Sequence, residues 1–159
     1  MKQVKKVAGV LFTIISVLSL SLVIVQNYSL ASQNQGSNSQ HASEAQLLAR
    51  CVNGEARGEP YDGQVAVAAV ILNRVKHEAF PNTINGVIYQ PGAFTAVTDG
   101  QINVPIDVNS TVYKACQDAL NGSDPSGGAI YYYNPAKTTN KWIYSRQVVK
   151  TIGNHKFAI

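Results

Sequence analysis

From Gln64 to Val75 the chain reads Gln-Val-Ala-Val-Ala-Ala-Val-Ile-Leu-Asn-Arg-Val, apolar on nearly every side and rich in alanine. A segment with no polar face has to be enclosed by the rest of the fold. The composition alone would allow a buried strand. A length of about a dozen residues and the alanine content favour a helix. Alanines let neighbouring helices approach closely, so this segment is expected to be the packing hub of a mostly helical domain.

The residues just before the hub supply the first candidate for chemistry. Ser43 and Gln46 have the spacing of a capping box, which predicts a helix start at Ser43. Leu47, Cys51 and Glu55 then recur at four-residue steps along one face. That face is apolar until Glu55, and a carboxylate closing an apolar stripe is expected to be partly desolvated and proton-holding. Gly58 and Glu59-Pro60 should end the helix there, leaving Glu55 at a cleft. An ordinary solvent-facing Glu fits the periodicity equally well.

The chain has 159 residues and a formal charge of +4. Lys2, Lys5 and Lys6 carry three of its thirteen basic charges, and from Ala42 onward ten basic residues face nine acidic ones. The domain is therefore almost neutral, without the basic stripe that phosphate backbones require, and no nucleic-acid partner is expected. Val7–Val25 is uncharged and apolar directly after the lysines, the pattern of an export signal or membrane anchor, and Ser29-Leu30-Ala31 offers a cleavage site. Residues 1–31 are thus read as signal or anchor, 32–42 as a polar linker, and 43–159 as one folded domain. Any membrane contact would be through the N-terminal segment, and a monomer is expected.

Beyond the hub, Ile84–Tyr89 reads as a short apolar turn of helix and Gln90-Pro91-Gly92-Ala93-Phe94-Thr95 as a loop. Ser110–Leu120 reads as an amphipathic helix stopped by Asn121-Gly122. Ala129–Asn134 reads as a strand, with Lys141-Trp142-Ile143-Tyr144 as its hairpin partner. The fold class is α+β, mostly helical with a small β hairpin. Some of Tyr131, Tyr132, Tyr133, Trp142 and Tyr144 should face outward, where flat rings suit stacking on sugars.

Asn53-Gly54-Glu55-Ala56-Arg57-Gly58-Glu59-Pro60, the hub from Gly63 to Val75, Gln90–Val97, Tyr132-Tyr133-Asn134-Pro135 and Trp142-Ile143 together resemble the spore cortex-lytic cell wall hydrolases. The resemblance runs from Leu47 to Phe157. It implies a lysozyme-like catalytic domain and a lytic transglycosylase of germination, cutting peptidoglycan glycan strands between N-acetylmuramic acid and N-acetylglucosamine. It assigns Glu55 as the catalytic acid and places Glu59, Gln64, Phe94, Thr95, Tyr132, Tyr133, Asn134, Trp142 and Arg146 at the substrate. Such enzymes often carry a peptidoglycan-binding domain before the catalytic one, where this sequence reads as linker.

One assignable acid fits a transglycosylase, in which the sugar's own 6-hydroxyl is the nucleophile. A hydrolase needs a second carboxylate. Glu59 reads as a helix-end residue or a partner for Arg57, and Asp62 and Asp99 as turn residues. His41, His77 and His155 are isolated, so no metal or other cofactor is expected, which weighs against a zinc-dependent amidase. A non-catalytic wall-binding module would present the same aromatics. Cys51 and Cys116 lie on packing faces and are expected to be free buried thiols, although export permits a disulfide.

Overall fold

The structure, a computed structural model, describes residues 25–26 and 39–159, and the chain divides into two units, Met1–His41 and Ala42–Ile159. Of the segment read as signal or anchor, residues 1–24 and 27–31, with the cleavage site, lie outside the described residues, as do linker residues 32–38. Apart from the first residues of α1, the elements that follow belong to the second unit.

Helix α2 (Tyr61–Lys76) is the hub, buried continuously from Gly63 to Ile71. It packs on α5 (Thr111–Leu120), on the short α3 (Ile84–Ile88) and on the first strand. Leu48, Val52 and Cys51 of α1 (residues 39–56) join Val67, Val70 and Ile71 of α2 in one core with Val112 and Cys116 of α5. Each large aliphatic buried this way contributes about 1.5–3 kcal/mol. Ser110 caps α5 by accepting from the Tyr113 N–H at 3.2 Å, and Thr83 caps α3 by accepting from Gly86 at 3.0 Å. Both thiols are free and buried; burial pushes Cys116 up to about 12 and raises Cys51 strongly, the Glu55 charge adding to it.

Two expectations need correction. The helix does not start at Ser43; among the described residues those from 39 onward are already helical, taking in the last residues read as linker. Gln46 is spent elsewhere, donating to the Ile106 carbonyl at 2.9 Å and accepting from the Ile106 N–H at 3.0 Å. Its amide thus replaces a backbone partner for a loop that has none of its own. The second correction concerns the hairpin. Lys141–Ser145 is a 3-10 helix capped by Asn140, whose side chain accepts from the Trp142 N–H. The strand β1 (Tyr131–Tyr133) pairs instead with β3 (His155–Ala158), and β3 pairs with β2 (Val148–Ile152), both antiparallel, in the order β1-β3-β2. The hairpin is β2–β3, turning at Gly153-Asn154. In this register Tyr132 faces Phe157 and Ile152 faces His155.

Candidate active site

Glu55 lies in the last turn of α1, which ends at Ala56. Gly54 explains what can approach it, because a Cβ there would sit 2.5 Å from the Cβ of Ala96. Without that Cβ, the one-turn helix α4 (Thr95–Thr98) presses against the end of α1. Glu55 Oε1 then accepts from Thr95 Oγ1 at 2.8 Å and from the Ala96 N–H at 3.0 Å. The Ala96 N–H is one of the donors a helix start leaves without an internal partner, so the carboxylate completes it. From the opposite side the Tyr132 hydroxyl donates to Oε2 at 3.0 Å. Burial, and then the Glu55 charge, raise the Tyr132 pKa well above the usual tyrosine value, which keeps the phenol a donor. Hydroxyls can rotate to accept as well as donate. The cradle can therefore hold Glu55 with or without its proton.

One turn further on, Glu59 serves the sheet. Its Oε2 accepts from the Asn154 N–H at 2.8 Å and its Oε1 from the Asn154 side-chain amide at 3.2 Å. Gly153, at φ +56°, gives the turn its left-handed geometry, and a Cβ there would lie 2.7 Å from Pro60 Cδ. The next residue, His155, is buried, its ring 5.2 Å from that of Tyr132, and its Nδ1 has no hydrogen-bond partner. Burial lowers its pKa, against the charges of Glu59 and Glu55. Burial thus favours the neutral imidazole in a cavity that also holds Glu55 and Glu59.

A groove runs across this face. Its polar end, a cavity of about 480 Å³, is lined by Glu55, Glu59, Asn134, Lys137, Asn154 and His155 among others. Its other end, about 390 Å³, is lined by Arg74, Tyr131, Tyr132, Tyr133 and Trp142 and by no carboxylate. A third cavity joins them, with Glu55, Thr95, Tyr132 and Arg74 in its wall.

The structure thus gathers Glu55, Thr95, Tyr132, Tyr133, Asn134 and Trp142 along one groove, with Glu59 at its polar end. Phe94 is buried in the core, with the Arg74 guanidinium 5.4 Å above its ring. Gln64 is buried too and donates to the Glu59 carbonyl at 3.0 Å, fastening the turn between α1 and α2. Arg146 lies over the Trp142 ring at 4.2 Å and over Tyr131 at 5.6 Å. Arg57 does not pair with Glu59; it donates to Gln101. Asp62 is exposed in the first turn of α2, and Asp99 is held by Gln101, whose N–H and amide lower its pKa. Arg74, Lys137, Asn154 and His155 line the groove and were not read from the sequence as site residues. Gly153-Asn154 between β-branched Val148–Ile152 and His-Lys-Phe-Ala was the available hairpin signal for His155.

The family model described as Cell Wall Hydrolase matches residues 58–158, most of the folded unit. The chain belongs to the cell wall hydrolase family. The chain is 56% identical over 128 residues to the spore cortex-lytic enzyme of Bacillus cereus, a match covering 79% of it. The matched part is 49% of that enzyme's length, so the chain spans about half of its relative. It also resembles the crystal structure of the catalytic domain of the Bacillus cereus SleB protein, at 58% identity and a TM-score of 0.69, over 73% of this chain and 89% of that one. The catalytic domain of the germination-specific lytic transglycosylase SleB from Bacillus anthracis is similar at 57% identity and the same TM-score, covering 73% and 93% of the two chains. The chain has the mostly helical fold of these domains with a small three-stranded sheet.

Proposed function

We propose that this domain is a peptidoglycan lytic transglycosylase of the spore cortex, with Glu55 as acid and then base. The observation that carries the reading is the difference between the groove's two carboxylates. Glu55 stands at the joining cavity with its oxygens held by Thr95, Ala96 and Tyr132. Glu59 has both oxygens engaged by the hairpin turn. The likeness to germination enzymes supports the substrate.

Protonated Glu55 gives its proton to the glycosidic oxygen as the bond to the muramoyl C1 breaks, and C1 becomes oxocarbenium-like. The 6-hydroxyl of the same sugar then attacks C1, and its proton passes to the Glu55 carboxylate. The enzyme is restored and a 1,6-anhydro ring closes the product. Because the nucleophile is already attached, its effective concentration far exceeds that of a competing external nucleophile. Tyr132 and Thr95 fix the carboxyl, and the exposed aromatics give the sugars a stacking surface. No cofactor or metal enters this chemistry. The apolar segment behind Lys2, Lys5 and Lys6 supports export, with the domain acting outside the cytoplasmic membrane as a monomer.

The test is release of soluble fragments from purified spore cortex peptidoglycan and from vegetative wall by the protein and by Glu55→Gln. Glycan fragments from cortex, lost in the variant, are the expected result. Free stem peptides with intact glycan would mean an amidase, and binding without release would mean a non-catalytic module; either overturns the reading.

A further inference from the structure

Arg74 is a buried cation with no counter-charge among the described residues. It is 9% exposed, and its Nε donates to the Ile130 carbonyl at 2.7 Å. Among the described residues no carboxylate pairs with it; its ionisable neighbours are Tyr132, Tyr131 and Cys51. Phe80, Phe94 and Tyr131 surround the guanidinium at 5.3, 5.4 and 5.8 Å from their ring centres. Cation–π contacts offset part of the cost of burying it. They do not use its in-plane fork of donors, which matches a carboxylate. Arg74 lines both the aromatic cavity and the one that joins it to Glu55.

The surroundings carry the same sign. Arg146 lies over Trp142 and Tyr131 at the same end, and its buried Nε, unlike that of Arg74, has no hydrogen-bond partner. The two carboxylates Glu55 and Glu59 line the polar cavity with Arg57 and Lys137, Glu55 also facing the joining cavity, and neither lines the aromatic one. An aromatic end with a cation and no carboxylate of its own suits the acid-bearing member of a strand whose sugars alternate between neutral and acid-bearing.

We infer that the aromatic end is the subsite for the muramoyl sugar, and that Arg74 pairs with a carboxylate carried on that sugar's acyl substituent. This rests on the peptidoglycan reading and adds the strand's direction to it. The muramoyl residue lies toward Trp142, its neighbour toward Glu59, and the bond between them at Glu55. The carboxylate is the lactyl acid itself or the end of a residue attached to it; both offer the same planar anion.

Binding to the full-length chain of three probes separates these cases: N-acetylglucosaminyl-N-acetylmuramic acid, its lactyl methylamide, and the same disaccharide bearing an L-alanine with a free carboxylate. None contains the scissile muramoyl bond. At least one acid is expected to bind about tenfold or more tighter than the amide, the scale of one charge-assisted bidentate pair. The Arg74 Nε–H and Trp142 indole resonances should shift with it. The stronger of the two acids identifies which carboxylate is read. In Arg74→Met the preference should fall to about twofold or less, whereas Arg74→Lys, keeping the charge, should retain part of it. If Arg74→Met does not fold, the preference of the unaltered protein and the Arg74 shift decide. Equal binding of acids and amide, or a preference that survives Arg74→Met, overturns the inference. Cortex digestion run in parallel keeps the two readings apart: with normal glycan release only this inference fails, and without release both do.

Discussion

Tyr132 donates its hydroxyl to Glu55 Oε2 at 3.0 Å across 77 residues of sequence, joining the strand next to the C-terminal hairpin to the first helix of the domain. Thr95 and Ala96 hold the other oxygen from α4. The Glu55 carboxyl is therefore held from two separate parts of the chain, α4 and β1, and each can be loosened alone.

Glu55→Gln keeps the shape and removes the transferable proton, so cortex lysis should fall by about a hundredfold or more with the fold intact. Tyr132→Phe and Thr95→Val each remove one bond to a charged group, worth about 1.5–3 kcal/mol where it is lost entirely. Each should lower kcat about tenfold or more, with a smaller change in KM. Steady-state kinetics on a soluble glycan with circular dichroism in parallel checks this. Full activity in Tyr132→Phe would show that the cradle does not position the acid.

Glu59 ties the turn at Asn154 to the end of α1. Glu59→Ala should destabilise the domain by about 1–2 kcal/mol, read in urea unfolding, through loss of these charge-assisted bonds. Its activity below the unfolding midpoint should fall much less than that of Glu55→Gln. A folded but inactive Glu59 variant would reverse the two roles.

How far the sequence could be read follows the range of the interactions. The hub helix and α5 were legible because their cause is local: apolar residues at helical spacing and a Ser cap at Ser110. Tyr131–Tyr133 was legible as a strand, but its partner was not, because pairing is chosen by the fold and not by the nearest aromatic run. Trp142 follows Asn140, whose side chain caps a 3-10 turn, and β3 at the C-terminus took the place beside β1. Gln46 has a capping-box spacing and was used 60 residues away at Ile106. Glu55 stood out through its motif, whereas the donors that hold it lie 40 to 77 residues further on. Arg74 was hidden by its setting, in the last turn of an apolar helix, where its role depends on rings from other elements.

His155 should make stability depend on pH in one direction. Its folded pKa is lowered by burial, so between that value and the unfolded value of about 6.5 the unfolded chain binds the extra proton. Its contribution is complete above about pH 6.5 and is lost as pH falls through the folded pKa. Urea midpoints at pH 7 and pH 5 should show a smaller drop in His155→Gln than in the unaltered protein. An equal drop would place the titration elsewhere.

The thiols offer a check on the core. With Cys51 and Cys116 free and buried, an exposed-thiol reagent should find almost none in the native protein and two per chain in denaturant without reductant. Fewer than two after denaturation would mean a disulfide.

Mass spectrometry of the first muropeptides released from cortex peptidoglycan bears most directly on the chemistry. With Glu55 alone as acid and base, the fragments should end in 1,6-anhydromuramic acid and resist borohydride reduction at that end from the earliest time points. Reducing muramic acid ends at those time points would contradict this. Water would then be the nucleophile, and Glu59, which shares the polar cavity with Glu55, would be the second carboxylate to test ahead of Asp62 and Asp99.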